Sequence, residues 1–232
     1  MTTRQALVVR GGWDGHRPVE ATERFTPFLR ANGFAVTVSD DLAVYGDGDL
    51  LARTDLVVQC WSMGDATREQ VDGLVAAVRA GTGLAGWHGG IVDAFRASPP
   101  YLQLVGGQFA EHPGGFVDHA YTVVAERADH PIVAGLSTWE LHTEQYWMLA
   151  DGLSDVLATT TFRASDGTPW RRDVVSPAVY TREWGAGRVF VSTIGHRPDD
   201  LDHPAVRALT ERGLLWAARS GGPGASGGSG AG

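Results

Sequence analysis

Short apolar runs alternate with helical patterns along the first ninety residues, and no other feature constrains the fold as strongly. Runs suited to strands occupy residues 6–10, 34–39, 55–60 and 82–87. Strands that alternate with helices build βαβ units, in which the strands are parallel and share one sheet. The sequence therefore predicts an α/β fold with a mainly parallel sheet flanked by helices.

The clearest helix signal lies between residues 67 and 81. Thr67 and Gln70 have the spacing of a capping box, apolar residues then recur at helical spacing, and a glycine follows. Another helix is predicted over residues 18–32, with a kink or a late start at Pro27 because proline lacks the N–H of a helical hydrogen bond.

The second half of the chain has more strand than helix character. Gly185-Ala186-Gly187 predicts a tight hairpin turn, and Asp202 is a candidate cap for a last helix. The predicted strands lie at residues 119–125, 155–162, 174–183 and 188–193. We expect a single domain over residues 1–219 and a Gly/Ser-rich disordered tail over residues 220–232.

Composition excludes several classes of function. The chain has 27 acidic and 19 basic residues, a net charge of −8, so its field repels nucleic acid and anionic membranes. Every basic residue is arginine, which excludes lysine Schiff-base chemistry and a Walker-type phosphate lysine.

The sequence also predicts the cellular location of the protein and the state of its single cysteine. No apolar stretch approaches the roughly 20 residues that cross a bilayer, and no secretory leader precedes the first strand. The single cysteine, Cys60, has no internal partner for a disulfide and lies in an apolar run, which predicts an inert buried thiol. We expect a cytoplasmic protein.

Two motif matches are rejected on context. Residues 81–86 match G-x-G-x-x-G, but they follow a helix and enter a strand, whereas a dinucleotide fingerprint follows a strand and opens a helix. Residues 61–64 resemble part of a serine-hydrolase elbow but lack its leading glycine.

The strand at residues 82–87 runs directly into His88-Gly89-Gly90. This layout resembles a nucleophile elbow, where small neighbours let one side chain project above the carboxyl edge of the sheet. We expect His88 to project into the crevice where open α/β sheets bind ligands, with little contribution to the core. Its imidazole is suited to moving protons or binding a metal. The alternative is a histidine that only hydrogen-bonds a loop.

Five segments in order resemble the motifs of the ThuA-like (trehalose utilisation) family over most of residues 4–219. They are residues 81–90, 106–112, 130–136, 143–146 and 185–196. The family is similar in fold to class I glutamine amidotransferases, so the resemblance implies a flavodoxin-like core. Histidine stands where those enzymes carry the elbow cysteine, which argues against glutaminase chemistry because an imidazole cannot replace the thiolate. Trp87 and the Glu144-Gln145-Tyr146 segment depart from the usual family pattern.

The resemblance also implies a polar pocket and roles for its residues. His88, Glu144 and His196 are the catalytic candidates, with either histidine as general base and the carboxylate as acid or as orienting group. Candidates for substrate binding are His16, Trp87, His112 and Tyr146. Several histidines and one carboxylate also suit zinc, although no pair has the local spacing of a metal motif. Its ligands would come from His16, His88, His112, Glu144 and His196.

Three functions remain open at this point. The first is an enzyme of carbohydrate metabolism, a hydrolase or an isomerase or epimerase acting on trehalose, a keto-sugar or a related glycoside. The second is a non-catalytic carbohydrate-binding or accessory protein, and the third an amidotransferase-like hydrolase. Eight tryptophans, among them Trp13, Trp61, Trp87 and Trp147 beside loops, supply flat faces that stack on sugar rings or fill the core. A small-molecule sugar is the expected partner, and a homo-oligomer is compatible with the sequence.

Overall fold

A computed structural model describes residues 3–219, and these contain eleven strands and eight α-helices. The strands are β1 (Arg4–Gly12), β2 (Phe34–Ser39), β3 (Leu56–Ser62), β4 (Gly83–Trp87), β5 (Gly107–Glu111), β6 (Phe116–Val123), β7 (Trp139–Glu144), β8 (Trp147–Ala150), β9 (Asp155–Phe162), β10 (Val174–Trp184) and β11 (Gly187–Ser192). The helices are α1 (Pro18–Glu23), α2 (Thr26–Ala31), α3 (Gly48–Arg53), α4 (Arg68–Arg79), α5 (Gly89–Val92), α6 (Pro99–Val105), α7 (Pro198–Asp202) and α8 (Pro204–Ala217).

Nine strands form one sheet in the order β2-β1-β3-β4-β11-β10-β9-β6-β7. The first five in this order are parallel, and β10, β9, β6 and β7 continue the sheet in antiparallel fashion. Strands β5 and β8 form a separate antiparallel pair. This arrangement confirms the α/β fold with a mainly parallel sheet and a β-rich second half.

Helices cover both faces of the parallel region, so its strands are buried on both sides. In β1, Ala6 and Val8 belong to one core cluster and Leu7 and Val9 to the other, as strand alternation requires. One face packs mainly against α1, α2 and α8, and the other against α3 to α6. A continuous apolar run, rather than an alternating one, is the sequence signature of this double burial.

Most predicted local signals are present. Thr67 and Gln70 form both hydrogen bonds of the capping box at the start of α4. Gly185 and Ala186 connect β10 to β11 as the predicted hairpin turn. The helix predicted over residues 18–32 is instead two helices, α1 and α2, because Pro27 lies in the first turn of a new helix that begins at Thr26 rather than kinking a continuous one.

One further expectation is wrong, and another concerns residues that the structure does not describe. His203, not Asp202, precedes α8, since Asp202 ends α7. The predicted tail at 220–232 lies outside the described residues. Within residues 3–219, no helix combines the length and apolar character that a membrane span needs.

Candidate functional site

The loops that follow four neighbouring parallel strands meet at one edge of the sheet. His16 lies in a short 3₁₀ turn after β1, Ser62 ends β3, His88 follows β4, and His196 lies in the loop after β11. The strand order β1-β3-β4-β11 places these carboxyl ends side by side. This is the edge at which open α/β sheets bind ligands.

The antiparallel part of the chain completes the cluster. Glu144 is the last residue of β7, Tyr146 follows it, and His112 directly follows β5. The structure therefore brings together six of the seven predicted site residues, contributed by five separate segments of the chain.

His88 occupies the predicted elbow, and its backbone is strained. Its φ of 49° and ψ of −146° lie in a region that non-glycine residues rarely adopt. Its amide donates to Ser192 O at 2.7 Å, and its Nδ1 lies 2.9 Å from Thr193 O. The expectation that His88 contributes little to the core is wrong, because only 2% of the residue is exposed.

Glu144 is the centre of the cluster. Its Oε2 lies 3.0 Å from His196 Nδ1 and 3.2 Å from His88 Nε2, and its Oε1 lies 3.7 Å from His112 Nε2. Ligand-type atoms of Glu144, His16, His88 and His196 all lie within 4.8 Å of one another. Three imidazoles and one carboxylate therefore converge on a small volume.

Burial and mutual contacts change the protonation of these groups. Burial by itself raises the pKa of Glu144, but the close approach of His196 and His88 outweighs burial and leaves the pKa well below its ordinary value. Burial, together with like charge from His88 and His196, lowers the pKa of His16 to about 3. Burial also lowers the pKa of His88, with Glu144 partly offsetting it. At neutral pH the cluster thus combines an ionised carboxylate with neutral imidazoles at His16 and His88.

The rings pack edge to face around the carboxylate. The centroid of His16 lies 4.7 Å from that of His88 and 5.0 Å from that of His196. Tyr146 stacks on His88, and its hydroxyl lies 2.7 Å from His88 Nε2. His112 is at the rim, with its side chain 35% exposed and stacked on Phe109.

Trp87 is the predicted site residue that the structure does not place in the cluster. Strand alternation puts Trp87 on the same face of β4 as Ala85, and its ring packs 5.0 Å from that of Phe25 in the core. Only 1% of Trp87 is exposed. The expectation that it contacts substrate is therefore corrected, and its departure from the family pattern affects core packing instead.

Sequence reasoning missed several neighbours of the cluster. Ser62 Oγ lies 2.5 Å from His16 Nδ1, and the Thr193 carbonyl holds His88. Phe116 remains 36% exposed beside the ring of His196, next to Trp13 at 47%, which the sequence already indicates as a stacking surface. The position of Ser62 at the end of a parallel strand was the available signal, whereas Phe116 depends on the pairing of β6 with β7.

A buried hydrogen-bond network anchors α5, the helix that directly follows His88. Tyr45 donates to Gln59 Oε1 at 3.0 Å, Gln59 Nε2 donates to the Tyr101 hydroxyl, and that hydroxyl donates to Ile91 O at 2.7 Å. All three side chains are fully or almost fully buried. Because buried polar networks are costly when only partly satisfied, this one holds α5 in a defined place behind His88.

Two further sequence interpretations agree with the structure. Residues 81–86 run from the end of α4 into β4, so the glycine pattern is not a dinucleotide fingerprint. Cys60 is buried in β3, and burial raises the pKa of its thiol to about 12, which makes it unreactive.

Comparison with solved structures shows the same fold at low sequence identity. A ThuA-like protein from Parabacteroides merdae has a TM-score of 0.71 and 17% identity, with 93% of this chain and 90% of that chain covered. A ThuA-like protein from Bacteroides uniformis has a TM-score of 0.68 and 16% identity, covering 93% and 89%. A cytoplasmic protein from Salmonella typhimurium LT2 has a TM-score of 0.64 and 16% identity, covering 93% and 100%.

Among curated proteins, no match was found. The family model described as "ThuA: Trehalose utilisation" matches residues 5–217, which include every member of the histidine and glutamate cluster. The chain therefore belongs to the ThuA family.

Proposed function

We propose that this chain is an enzyme of carbohydrate metabolism that binds a divalent metal ion of the zinc class through Glu144, His16, His88 and His196. The observation that carries this proposal is the position of Glu144 Oε2, within 3.2 Å of ring nitrogens from two histidines. The pocket acts on a sugar or keto-sugar.

The tautomer of His88 is the first support for a metal. Thr193 O only accepts hydrogen bonds, so His88 Nδ1 carries the proton and Nε2 presents a lone pair. Glu144 Oε2 also carries lone pairs, and it lies 3.2 Å from that nitrogen. A proton or a cation relieves this repulsion, and burial disfavours the protonated imidazole. A bound cation therefore relieves the repulsion between His88 Nε2 and Glu144 Oε2 at a lower cost than protonation of His88.

His196 provides a second, independent support. Its Nδ1 is buried and lacks a hydrogen-bond partner, although it lies 3.0 Å from Glu144 Oε2. Ligand atoms at zinc distances of 2.0–2.1 Å lie about 3.3 Å apart in a four-coordinate site. Both contacts of Glu144 Oε2 are close to this spacing, and the ligand atoms of all four residues lie within 4.8 Å of one another. Three imidazoles and one carboxylate are also donors that suit a zinc-class ion.

The surrounding groups resemble the outer shell of a metal site. Ligating histidines commonly bond a carbonyl or a hydroxyl through their other ring nitrogen, which fixes the ring. Thr193 O does so for His88 and Ser62 Oγ for His16. The strained backbone of His88 is also typical of active sites and ligand clamps.

A zinc-class ion polarises a carbonyl oxygen or lowers the pKa of a bound water. The ionised state of Glu144 makes it a ligand and orienting group rather than a general acid. Tyr146 stays protonated, because burial and the Glu144 charge raise its pKa. Its hydroxyl lies 2.7 Å from His88 Nε2, so it would donate to a substrate oxygen once a metal ion takes that lone pair. His112, at the rim and outside the four ligands, is placed to move the proton.

A sugar substrate is supported by two observations. The matching family model is described by trehalose utilisation. Trp13 and Phe116 expose aromatic surface beside His196 at the mouth of the cluster. Flat aromatic faces next to polar groups suit the apolar face and the hydroxyl edge of a sugar ring.

Metal analysis and product analysis test the proposal together. Untagged protein should carry about one zinc-class ion per chain, and Glu144→Gln should lose most of it, because removing a ligand weakens the site. Glu126→Gln, on the exposed 3₁₀ turn after β6 and outside the four proposed ligands, is the control and should keep the metal. Incubation with trehalose, its 3-keto form and related glycosides, followed by mass spectrometry, should show product with the parent protein.

Each outcome has a definite meaning. Failure to bind zinc after supplementation contradicts the metal assignment. Binding of a sugar without any product favours the carbohydrate-binding alternative over the enzyme.

A further inference from the structure

Asp200 is a buried carboxylate that lies outside the Glu144 cluster. It belongs to the short helix α7, and only 7% of the residue is exposed. Its neighbours Asp199 and Asp202 both approach Arg24, whereas Asp200 has no ion pair within residues 3–219. Burying a charged group is costly unless it is hydrogen-bonded. The donors that bond to Asp200 therefore indicate what this residue does.

Both donors are chain neighbours of proposed metal ligands. Thr143 Oγ1 donates to Asp200 Oδ2 at 2.8 Å, and Thr143 directly precedes Glu144 in β7. The Arg197 amide donates to the same Oδ2 at 3.0 Å, and Arg197 directly follows His196. One oxygen atom of Asp200 therefore links the two segments whose side chains meet as Glu144 Oε2 and His196 Nδ1, 3.0 Å apart.

The two segments are connected through both faces of β7. Successive side chains of a strand point to opposite sides, so Thr143 and Glu144 leave β7 on different faces. Asp200 bonds to the side chain on one face, and His196 approaches the side chain on the other. A shift of Asp200 relative to β7 would therefore change the distance between His196 and Glu144.

Helix α7 packs closely against the loop that carries His196. Leu201 of α7 is fully buried, and a Cβ at Gly195 would lie 2.5 Å from Leu201 Cδ2. The Asp200 amide also donates to Arg197 O at 3.0 Å, which answers the bond that its carboxylate accepts from the Arg197 amide. The loop thus has little freedom to move relative to Asp200.

We infer that Asp200 is a positioning residue of the proposed metal site, because its bonds to Thr143 and to the Arg197 amide hold His196 against Glu144. This inference rests on the proposed function and adds to it a residue that is not itself a ligand. Groups that orient metal ligands commonly contribute about ten- to a hundredfold to metal affinity. Both donors to Asp200 are neutral, so its effect depends on the position of its oxygen atom rather than on its charge.

Removing the Thr143 hydroxyl breaks one link and leaves every proposed ligand in place. Thr143→Val should weaken Zn²⁺ binding about tenfold in competition titrations with a chromophoric chelator. Thr143→Ser keeps a hydroxyl and should stay within about twofold of the parent.

Thr82→Val is the matched control for Thr143→Val. The Thr82 hydroxyl is equally buried and donates to Thr54 O at 3.1 Å. Thr82 precedes β4, so it lies at the amino edge of the parallel strands, opposite the cluster. Thr82→Val should lower the melting temperature about as much as Thr143→Val and leave the affinity for Zn²⁺ unchanged.

Two substitutions at Asp200 separate position from charge. Asp200→Asn removes the charge but keeps an oxygen atom that can accept from both donors, and it should change Zn²⁺ affinity less than about threefold. Asp200→Ala removes the acceptor and should weaken Zn²⁺ binding about tenfold or more. Equal weakening by both substitutions would mean that the charge acts, and it would overturn the positioning role.

Hydrogen exchange of the zinc-free protein tests the same link without metal. After treatment with a chelator, Thr143→Val should exchange the backbone amides of residues 193–201 several-fold faster than Thr82→Val, because the loop loses a bond to β7. Mass spectrometry of peptides from this segment measures the rates.

These measurements distinguish the failure of the positioning role from that of the proposed function. A parent protein that binds Zn²⁺, with unchanged affinity in Thr143→Val, overturns the positioning role and leaves the proposed function standing. A parent protein that binds no Zn²⁺ overturns the proposed metal site, and the exchange rates then decide. Faster exchange in Thr143→Val supports the positioning of His196 by Asp200, and unchanged exchange overturns it.

Discussion

His88 Nδ1 lies 2.9 Å from the carbonyl oxygen of Thr193, and this contact aims the other ring nitrogen of His88 at Glu144. The two residues are 105 positions apart in the chain. They meet because β4 and β11, which precede them, are neighbouring parallel strands. One backbone carbonyl thus selects the tautomer on which the proposed chemistry depends.

His88→Asn should impair both activity and stability. Loss of the imidazole should lower turnover by roughly two to four orders of magnitude if His88 takes part in proton transfer. The free energy of unfolding should fall by about 1–3 kcal/mol, because the Thr193 carbonyl loses its donor in a buried place. Urea unfolding and turnover on one preparation measure both effects.

His142→Asn, at a side chain 57% exposed on β7, is the control and should change neither property. A folded His88→Asn variant with parental activity and metal content would contradict the assignment of His88 to the functional site. Loss of metal with loss of activity would identify His88 as a ligand rather than as a base.

Local signals predicted the parallel half of the fold well, and long-range pairing decided the rest. The capping box at Thr67 and the strand before His88 depend on residues close in sequence. Strands β7 and β8 have six and four residues, and their pairing partners lie far along the chain. The approach of Glu144 to His88 depends on that pairing, so only the family resemblance predicted it.

Trp87 shows a second limit of sequence reasoning. Both faces of β4 are buried, so the apolar run does not indicate which face lies toward the pocket. A tryptophan next to the elbow is therefore equally compatible with the core and with the ligand site, and the structure places it in the core.

Cys60→Ser should leave activity unchanged and reduce stability. The thiol is buried in β3 and does not belong to the cluster. A serine hydroxyl in this apolar position should cost about 1–3 kcal/mol unless it finds a partner. Thermal melts and turnover measure the two properties, and a loss of activity beyond the loss of stability would argue against an inert thiol.

His119 should contribute to acid destabilisation. Burial lowers its pKa, with the Val117 carbonyl and Asp118 partly offsetting the shift, and its Nε2 accepts from the Tyr121 hydroxyl. A histidine with a lowered pKa binds fewer protons in the folded state than in the unfolded one once the pH falls below about 6.5. Stability conferred by neutral His119 is therefore present above pH 6.5 and is lost as the pH falls below it.

His119→Gln should flatten the dependence of unfolding free energy on pH between about pH 6.5 and 5. The change should stay below the ceiling of about 1.4 kcal/mol per pH unit for a single group, since the side chain is partly solvated. Chemical denaturation at several pH values measures this slope. His142→Gln is the control, and an equal effect of both substitutions would contradict the assignment to His119.

Gly89→Ala should displace His16 from the cluster. A Cβ at Gly89 would lie 2.3 Å from His16 Cε1 and 2.8 Å from His16 Nδ1, so the imidazole has to move. Gly48→Ala is a close control, because each glycine is the first residue of a helix and a Cβ at Gly48 meets nothing within 4 Å. A misplacement of about 1 Å in a catalytic constellation can cost about a hundredfold in rate, so Gly89→Ala should lose ten- to a hundredfold in turnover and part of its metal.

Gly48→Ala should keep full activity and melt at the same or a slightly higher temperature, because alanine restricts the unfolded chain more than glycine does. Since both substitutions add one methyl group, parental activity in Gly89→Ala would mean that the position of His16 does not matter for the chemistry, and His16 would then leave the proposed ligand set.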